Sequence, residues 1–199
     1  MKHFISLILI APMFLQCSVD RTIPVLSPSE EETFRAFENL EVTSAVQISH
    51  SQEPGQKLSL CLTFISKESQ SPLVHVPIKL YHTSTLGQYD PANPNDESTA
   101  RLNGTAITDS QGRILVQTIL PGDYGRSSDN RHIHTTVKGA RPEAYDIHFK
   151  QYTGRMGRNF ISGSDQHFLA DLKQSRDSTL LTFLTIAVKN YSRKDPVDF

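Results

Sequence analysis

The sequence has few of the features that mark several large protein classes. It contains two cysteines, Cys17 and Cys61, so at most one intrachain disulfide is possible. Lysine and arginine total 20 against 21 aspartates and glutamates, which argues against a nucleic-acid-binding protein with its basic stripe. No internal repeat occurs, and hydrophobic residues make up 37 % of the chain. That fraction is typical of a β-sandwich with wet outer faces rather than of a large α/β enzyme.

The first seventeen residues are similar to an export signal. Lys2 precedes an apolar run over residues 4–15, and about twelve residues are too few to span a bilayer as a helix. The residues just before Cys17 resemble a bacterial lipoprotein cleavage site. We therefore predict that residues 1–17 are a lipoprotein signal and that Cys17 receives lipid, which would anchor an exported chain to a membrane of the cell envelope. Simple secretion, an uncleaved anchor and an N-terminal core element are the alternatives.

A single domain is expected after this signal. Residues 18–29, rich in proline and serine, are predicted to form a tether, and residues 30–199 one domain. Ser29 and Glu32 match the spacing of a capping box, in which each side chain binds the other residue's backbone amide. This spacing predicts a short helix over residues 30–39.

After this helix the apolar residues recur with a period of two, as they do in strands with one buried face. The pattern is found in residues 58–64, 74–80, 114–118, 133–137 and 145–149, and a last strand is predicted over residues 180–188. Short strands separated by turns, with little helix, predict an all-β fold: an antiparallel two-sheet sandwich of the transthyretin (prealbumin) type. Cys61 alternates with the leucines of the first strand and is predicted to be a buried or half-buried structural thiol.

Two pairs of residues in the second half of the chain suggest chemistry. His132 and His134 flank Ile133 in a predicted strand, so both imidazoles project from one face with about 6–7 Å between their Cα atoms. This suits two adjacent ligands of one metal, although many such pairs are structural. Tyr89 and Tyr124 lie in loops beside turn residues. Taken alone, these tyrosines are better explained as packing corners that hydrogen-bond the backbone.

The order of these motifs resembles a known family. Gly87-Gln88-Tyr89, then residues 108–113, then Pro121-Gly122-Asp123-Tyr124, and finally His132-Ile133-His134 are similar to the catalytic core of the intradiol ring-cleavage dioxygenases. The resemblance covers about residues 54–152. It implies a non-haem ferric iron, Fe(III), held by Tyr89, Tyr124, His132 and His134. It also implies cleavage of a catechol-type aromatic ring between its two hydroxylated carbons with O₂, with substrate displacing the phenolate of Tyr124.

The chain differs from the family at one position that carries a positive charge in the family. The family places an arginine three residues before the first ligand histidine, where it stabilises charge on the ring, and this chain has Asp129 there. Arg126 and Arg131 are the nearest candidates for that catalytic role. Alternation points Arg131 away from the metal face unless the strand bulges. His148 falls near a polar position of the family and is interpreted as a solvated or sheet-face histidine.

A second family offers a competing interpretation. Residues 72–124 also resemble transthyretin-like and carboxypeptidase-regulatory-like modules, which have the same sandwich and hold no metal. Such a module on a lipoprotein would be a binding accessory at the cell surface. It gives no reason for the His132-Ile133-His134 motif or for Tyr89. A site for another metal, or one that keeps its ligands without turnover, are further alternatives.

Overall fold

Strands dominate the computed structural model, which describes residues 21–125, 128–154, 161 and 163–192. Among the elements that lie wholly within these residues, helix α1 precedes ten strands, and short 3₁₀ turns lie at Val42–Ser44 and Glu97–Thr99. The elements are α1 (Pro28–Glu38), β1 (Ala45–Gln47), β2 (Lys57–Ser66), β3 (Pro77–His82), β4 (Leu102–Ile107), β5 (Arg113–Ile119), β6 (Asn130–Val137), β7 (Ala144–Thr153), β8 (His167–Ala170), β9 (Lys173–Gln174) and β10 (Leu180–Val188).

The strands form two five-stranded sheets. The first has the order β1-β5-β2-β10-β9 and the second β4-β3-β6-β7-β8. The prediction of two sheets is confirmed, but the prediction that they are antiparallel is wrong for three pairs: β1–β5, β2–β10 and β7–β8 are parallel. Parallel neighbours need a long crossover rather than a hairpin. Most of the chain intervenes between β2 and β10, so periodicity within each strand could not reveal their direction.

The main core lies between the two sheets. Leu60 and Val116 of the first sheet join Ile78, Ile133 and Ile147 of the second in one buried cluster. Along β6 and β7 the buried residues, such as Ile133 and Ile147, alternate with less buried ones, which therefore lie on the outer face of the second sheet.

The first sheet is buried on both faces because α1 covers its outside. Phe37 of α1 packs on Phe183 with ring centroids 6.4 Å apart, and Cys61 and Leu181 lie beneath them. Cys61 is 1 % exposed, which confirms the predicted buried thiol. Burial raises the pKa of this thiol well above its ordinary range, as expected for an unreactive cysteine.

The helix begins two residues before its predicted start. Ser27 is the N-cap and forms a capping box with Glu30, and Pro28 is the first helical residue. Both Ser27 and Ser29 have a glutamate three residues later, so the capping pattern fits either position. Proline is favoured at the first helical position because its missing N–H has no helical acceptor and its φ is preset. Pro28 therefore favours Ser27 over Ser29 as the N-cap of the helix.

Part of the segment predicted as a tether is joined to the sandwich. The amide of Leu26 donates to the carbonyl of Gln174, and the amide of Gln174 donates to the carbonyl of Pro24. Leu26 is buried with the residues beneath α1. The predicted signal and Cys17 lie outside the described residues. Within the described part of the chain, no helix has the length and apolar character needed to cross a membrane.

Candidate metal centre

The residues predicted to carry chemistry gather on the outer face of the second sheet. Strand pairing sets His132 opposite His148, and His134 opposite Asp146 on one side and Tyr81 on the other. Because directly opposite residues project from the same face of a sheet, the two histidines of the motif acquire polar and aromatic neighbours. The prediction that both imidazoles share one face is confirmed.

Three side-chain donors converge at this face. Tyr89 Oη lies 2.8 Å from His134 Nε2, and His132 Nε2 lies 3.1 Å from His134 Nε2. Tyr89 is buried, 8 % exposed, although its loop lies outside any strand. Two ligands bound at about 2.1 Å and about 90° apart are separated by about 3.0 Å. Tyr89 Oη and His132 Nε2 therefore each stand at the spacing of an adjacent ligand from His134 Nε2.

Hydrogen bonds on the far side of each imidazole decide what its Nε2 can do. His132 Nδ1 is 2.6 Å from the carbonyl oxygen of Asn130, and His134 Nδ1 is 2.7 Å from Asp146 Oδ1. Carbonyl and carboxylate oxygens only accept, so in the neutral form of each ring Nδ1 carries the proton and Nε2 presents a lone pair. Two lone pairs facing each other at 3.1 Å repel unless a cation lies near both. The donor set fits a metal ion on this ground.

The carboxylate behind His134 is the supporting group that metal-bound histidines usually have. Such partners fix the tautomer and raise the basicity of the ligand. Although burial raises the pKa of Asp146, hydrogen bonding to His134 and the nearby imidazoles lower it overall. Asp146 therefore stays ionised at neutral pH and holds the His134 ring in place.

Tyr124 lies next to these donors with its oxygen directed elsewhere. Its ring centroid is 5.2 Å from that of Tyr89 and 6.5 Å from that of His132. Its Oη donates to Glu97 Oε1 at 3.2 Å, and the residue is 42 % exposed. This hydrogen bond raises the pKa of Tyr124, and burial raises that of Tyr89. The structure therefore joins Tyr89, His132 and His134 directly, with Tyr124 at their edge.

Arg131 lies beside an irregularity in the pairing of β6 with β7. The register shifts between Asn130 and His132, and the extra residues lie on β7. The guanidinium carbon of Arg131 stands 4.3 Å from the ring centroid of Tyr152, and its Nε is 3.6 Å from an Asp123 oxygen. The burial pattern of β7 puts Tyr152 on the same, less buried face as His148, so the contact with Tyr152 places the guanidinium on the side of the sheet that holds the histidines. Arg126 lies outside the described residues.

Sequence reasoning missed three neighbours of the site. Asp146 alternates with apolar residues in the predicted strand 145–149 and was recognisable as an outward residue. Tyr81 stacks on His134 with ring centroids 4.7 Å apart, and His167 approaches Asp146 with 3.5 Å between Nε2 and Oδ2. No local signal identifies His167, because only the parallel pairing of β8 with β7 brings it to the site.

His148 is a sheet-face residue, as predicted, but it is not freely solvated. Its ring stacks on that of His132 with centroids 5.2 Å apart. Burial lowers the pKa of His148 to about 4, so the imidazole is neutral at physiological pH. Its Nε2 is buried and has no hydrogen-bond partner among the described residues.

Comparisons with known proteins agree with this fold. A family model described as "Dioxygenase" matches residues 32–197. A search of curated protein sequences finds no match. Among solved structures, the dioxygenase domain of a carbohydrate-binding fusion protein from Streptomyces sp. SirexAA-E is 18 % identical, with a TM-score of 0.56 over 75 % of this chain and 92 % of that one.

Two further solved structures are ring-cleavage enzymes by name. The intradiol ring-cleavage dioxygenase from Tetranychus urticae is 18 % identical, with a TM-score of 0.56 over 75 % of this chain and 88 % of that one. Catechol 1,2-dioxygenase from Pseudomonas arvilla C-1 is 17 % identical, with a TM-score of 0.55 over 76 % of this chain and 60 % of that longer one. At such identities the likeness establishes the fold, and the family model covers most of the chain. The chain therefore belongs to the dioxygenase family, as the resemblance of its motifs to the intradiol enzymes predicted.

Proposed function

We propose that this protein is a non-haem Fe(III) dioxygenase that cleaves a catechol-type ring between its two hydroxylated carbons with O₂. The observation that carries the proposal is the convergence of Tyr89 Oη and His132 Nε2 on His134 Nε2, at 2.8 and 3.1 Å. A metal-free binding module would have no use for two imidazole lone pairs aimed at each other. The convergence therefore favours the metal enzyme over that alternative.

The donor types support ferric iron as the metal. Phenolate oxygens are hard, anionic donors that suit a hard cation of high charge, and imidazole suits iron as well. The usual ferrous oxygenase set of two histidines and one carboxylate differs from the donors that meet here. When bound, the iron would act as a Lewis acid on a chelated catechol. Its charge would also overcome the burial that raises the pKa of Tyr89.

The protein side chains divide the remaining work. Tyr89, His132 and His134 would be the fixed ligands, because each is at least partly buried and held by neighbours. Tyr124 would be the ligand that leaves when substrate binds. Its exposure and its hydrogen bond to Glu97 support this role, since Glu97 can hold the phenol away from the metal.

Arg126 and Arg131 are the proposed sources of positive charge beside the ring. The contact of Arg131 with Tyr152 supports its part, because Tyr152 lies on the same face of β7 as His148. Asp123 and Tyr152 flank its guanidinium. A cation in this place would favour the ionised form of a catechol.

An absorption spectrum with metal analysis tests the proposal. Purified protein reconstituted with ferric iron should hold about one iron per chain and show a visible tyrosinate-to-iron charge-transfer band, and catechols should drive oxygen uptake. Tyr89→Phe and His134→Ala should lose the band and the uptake, whereas His50→Ala, at an exposed position, should keep both. A protein that stays colourless after reconstitution, or a Tyr89→Phe variant that binds iron and substrate like wild type, would refute the proposal.

We further propose that the chain is exported and anchored to a membrane through lipid on Cys17. The apolar run over residues 4–15 and the cleavage-site resemblance before Cys17 support this. Expression in a bacterium with labelled fatty acid should give labelled protein in the membrane fraction. The Cys17→Ser chain should carry no label, and label on that variant would contradict lipidation at this residue.

A further inference from the structure

A second group of metal-ligating side chains lies beside the first on the same sheet face. Asp146 and His148 are alternate residues of β7, and the parallel pairing of β8 sets His167 opposite Asp146. One ligand atom from each of the three lies within 4.8 Å of the other two. None of the three is among the ligands of the candidate iron centre.

The two oxygens of Asp146 face different groups. Oδ1 accepts the hydrogen bond from His134 at 2.7 Å, whereas Oδ2 lies 3.5 Å from His167 Nε2. The distance to His167 is too long for a good hydrogen bond. Oδ2 therefore keeps lone-pair capacity on the side away from the iron centre.

His148 provides the second indication of a ligand. Its ring lies between those of His132 and His167, at centroid distances of 5.2 and 5.3 Å. Its buried Nε2 has no hydrogen-bond partner within the described part of the chain. A buried polar atom without a partner is costly and calls for an explanation such as an ion or water. The carboxylate of Asp146 cannot form hydrogen bonds with the nitrogens of all four neighbouring imidazoles.

We infer that Asp146 Oδ2, together with a ring nitrogen of His148 and of His167, forms a second metal site that takes a divalent cation of the zinc type. Two histidines, one carboxylate and a water make a common four-coordinate zinc set. A tetrahedral set needs donors about 3.4 Å apart, so binding would draw these side chains together by small rotations. The side chains of His167 and Asp146 are 14 % and 25 % exposed, which leaves the cation a route in from solvent.

The shared carboxylate links this site to the candidate iron centre. A cation on Oδ2 would withdraw charge from Asp146 and weaken the hydrogen bond that Oδ1 accepts from His134. The second metal would thereby reduce the basicity of one iron ligand without touching the iron. The proposed second site depends on neither iron nor catechol, so it can be tested independently of the proposed dioxygenase activity.

Zinc stoichiometry tests the inference directly. The full-length chain, stripped of metal by a chelator and dialysed, is titrated with Zn²⁺ and followed by calorimetry and metal analysis. His167→Ala should bind one zinc fewer per chain than wild type, with an affinity at that site weakened about 100-fold or more. His148→Ala should have the same effect. The circular dichroism spectrum checks that each variant folds, and His148→Ala serves as the test if His167→Ala does not give the wild-type spectrum. His50→Ala, at an exposed position, should bind as wild type does.

One further variant separates this site from the first. His132→Ala should keep the zinc whose binding depends on His167. Equal stoichiometry in wild type, His148→Ala and His167→Ala would overturn the inference. The inference would also be refuted if wild type bound one zinc and both His167→Ala and His132→Ala bound none, because that zinc would belong to the centre already described.

Discussion

Replacement of Asp146 by asparagine should weaken ferric iron binding although no iron ligand is changed. In the native protein a carboxylate oxygen lies 2.7 Å from His134 Nδ1, the distance of a charge-assisted hydrogen bond. Asparagine keeps an acceptor oxygen of similar shape but removes the charge. Loss of such an outer partner costs about 10- to 100-fold in metal affinity, which is about 1.4–2.7 kcal/mol.

Competition with a chelator of known ferric affinity measures this change, with the visible band as the signal. The matched control is Asp171→Asn, which changes a carboxylate just after β8 that accepts hydrogen bonds from Lys150 and Gln151 of β7. Nitrogen-15 spectra of the metal-free protein report the tautomer of His134 independently of iron. We expect the Nδ1–H form in wild type and a mixture in Asp146→Asn. An iron affinity within twofold of wild type, with an unchanged tautomer, would refute the role given to Asp146.

Three further predictions concern the sandwich itself. His82 is fully buried, and burial lowers its pKa to about 4, below the unfolded value near 6.5. The contribution of neutral His82 to stability is therefore complete above about pH 6.5 and is lost as the pH falls towards 4, a loss of about 3 kcal/mol. Urea unfolding across this range should show the free energy of unfolding fall, and His82→Gln should make that free energy less dependent on pH. Cys61 should resist a thiol reagent in native Cys17→Ser protein and react fully in urea, and rapid native reaction would contradict its burial beneath α1. Phe37→Ala should lower the free energy of unfolding by about 3–4 kcal/mol, whereas Phe37→Leu should cost about 1 kcal/mol; equal losses in urea unfolding would show that the ring does not fill the contact with the sheet.

The sequence alone identified the elements whose signals are local. Period-two alternation found β2, β3, β5, β6 and β7, because the pleat places successive side chains on opposite faces wherever a strand has one buried side. The same rule put His132 and His134 on one face. The helix was found from a capping pattern, but its start was misplaced because two serines fit that pattern. Short strands such as β8 and β9 carried too few residues to show a period.

The metal centre was only partly accessible from sequence. Tyr89, His132 and His134 were recognised through the resemblance of their motifs to a known family, and the structure brings their donor atoms together. The donors behind and beside them were not recognised. Asp146 looked like one more outward residue of a strand, and no pattern around His167 suggested that it would lie next to Asp146.

The amino-acid sequence thus determined the strands, the face on which the histidines lie and the family to which the chain belongs, because each depends on residues close together in the chain. Tertiary structure decided what depends on distant pairings. The parallel pairing of β7 with β8 brought His167 to Asp146, and the packing of β6 beside β7 set the Arg131 guanidinium over Tyr152. Register and strand direction are fixed by the packing of both sheets on one core, since a shift by one residue would expose every buried side chain of a strand. Short-range periodicity contains no information about that choice.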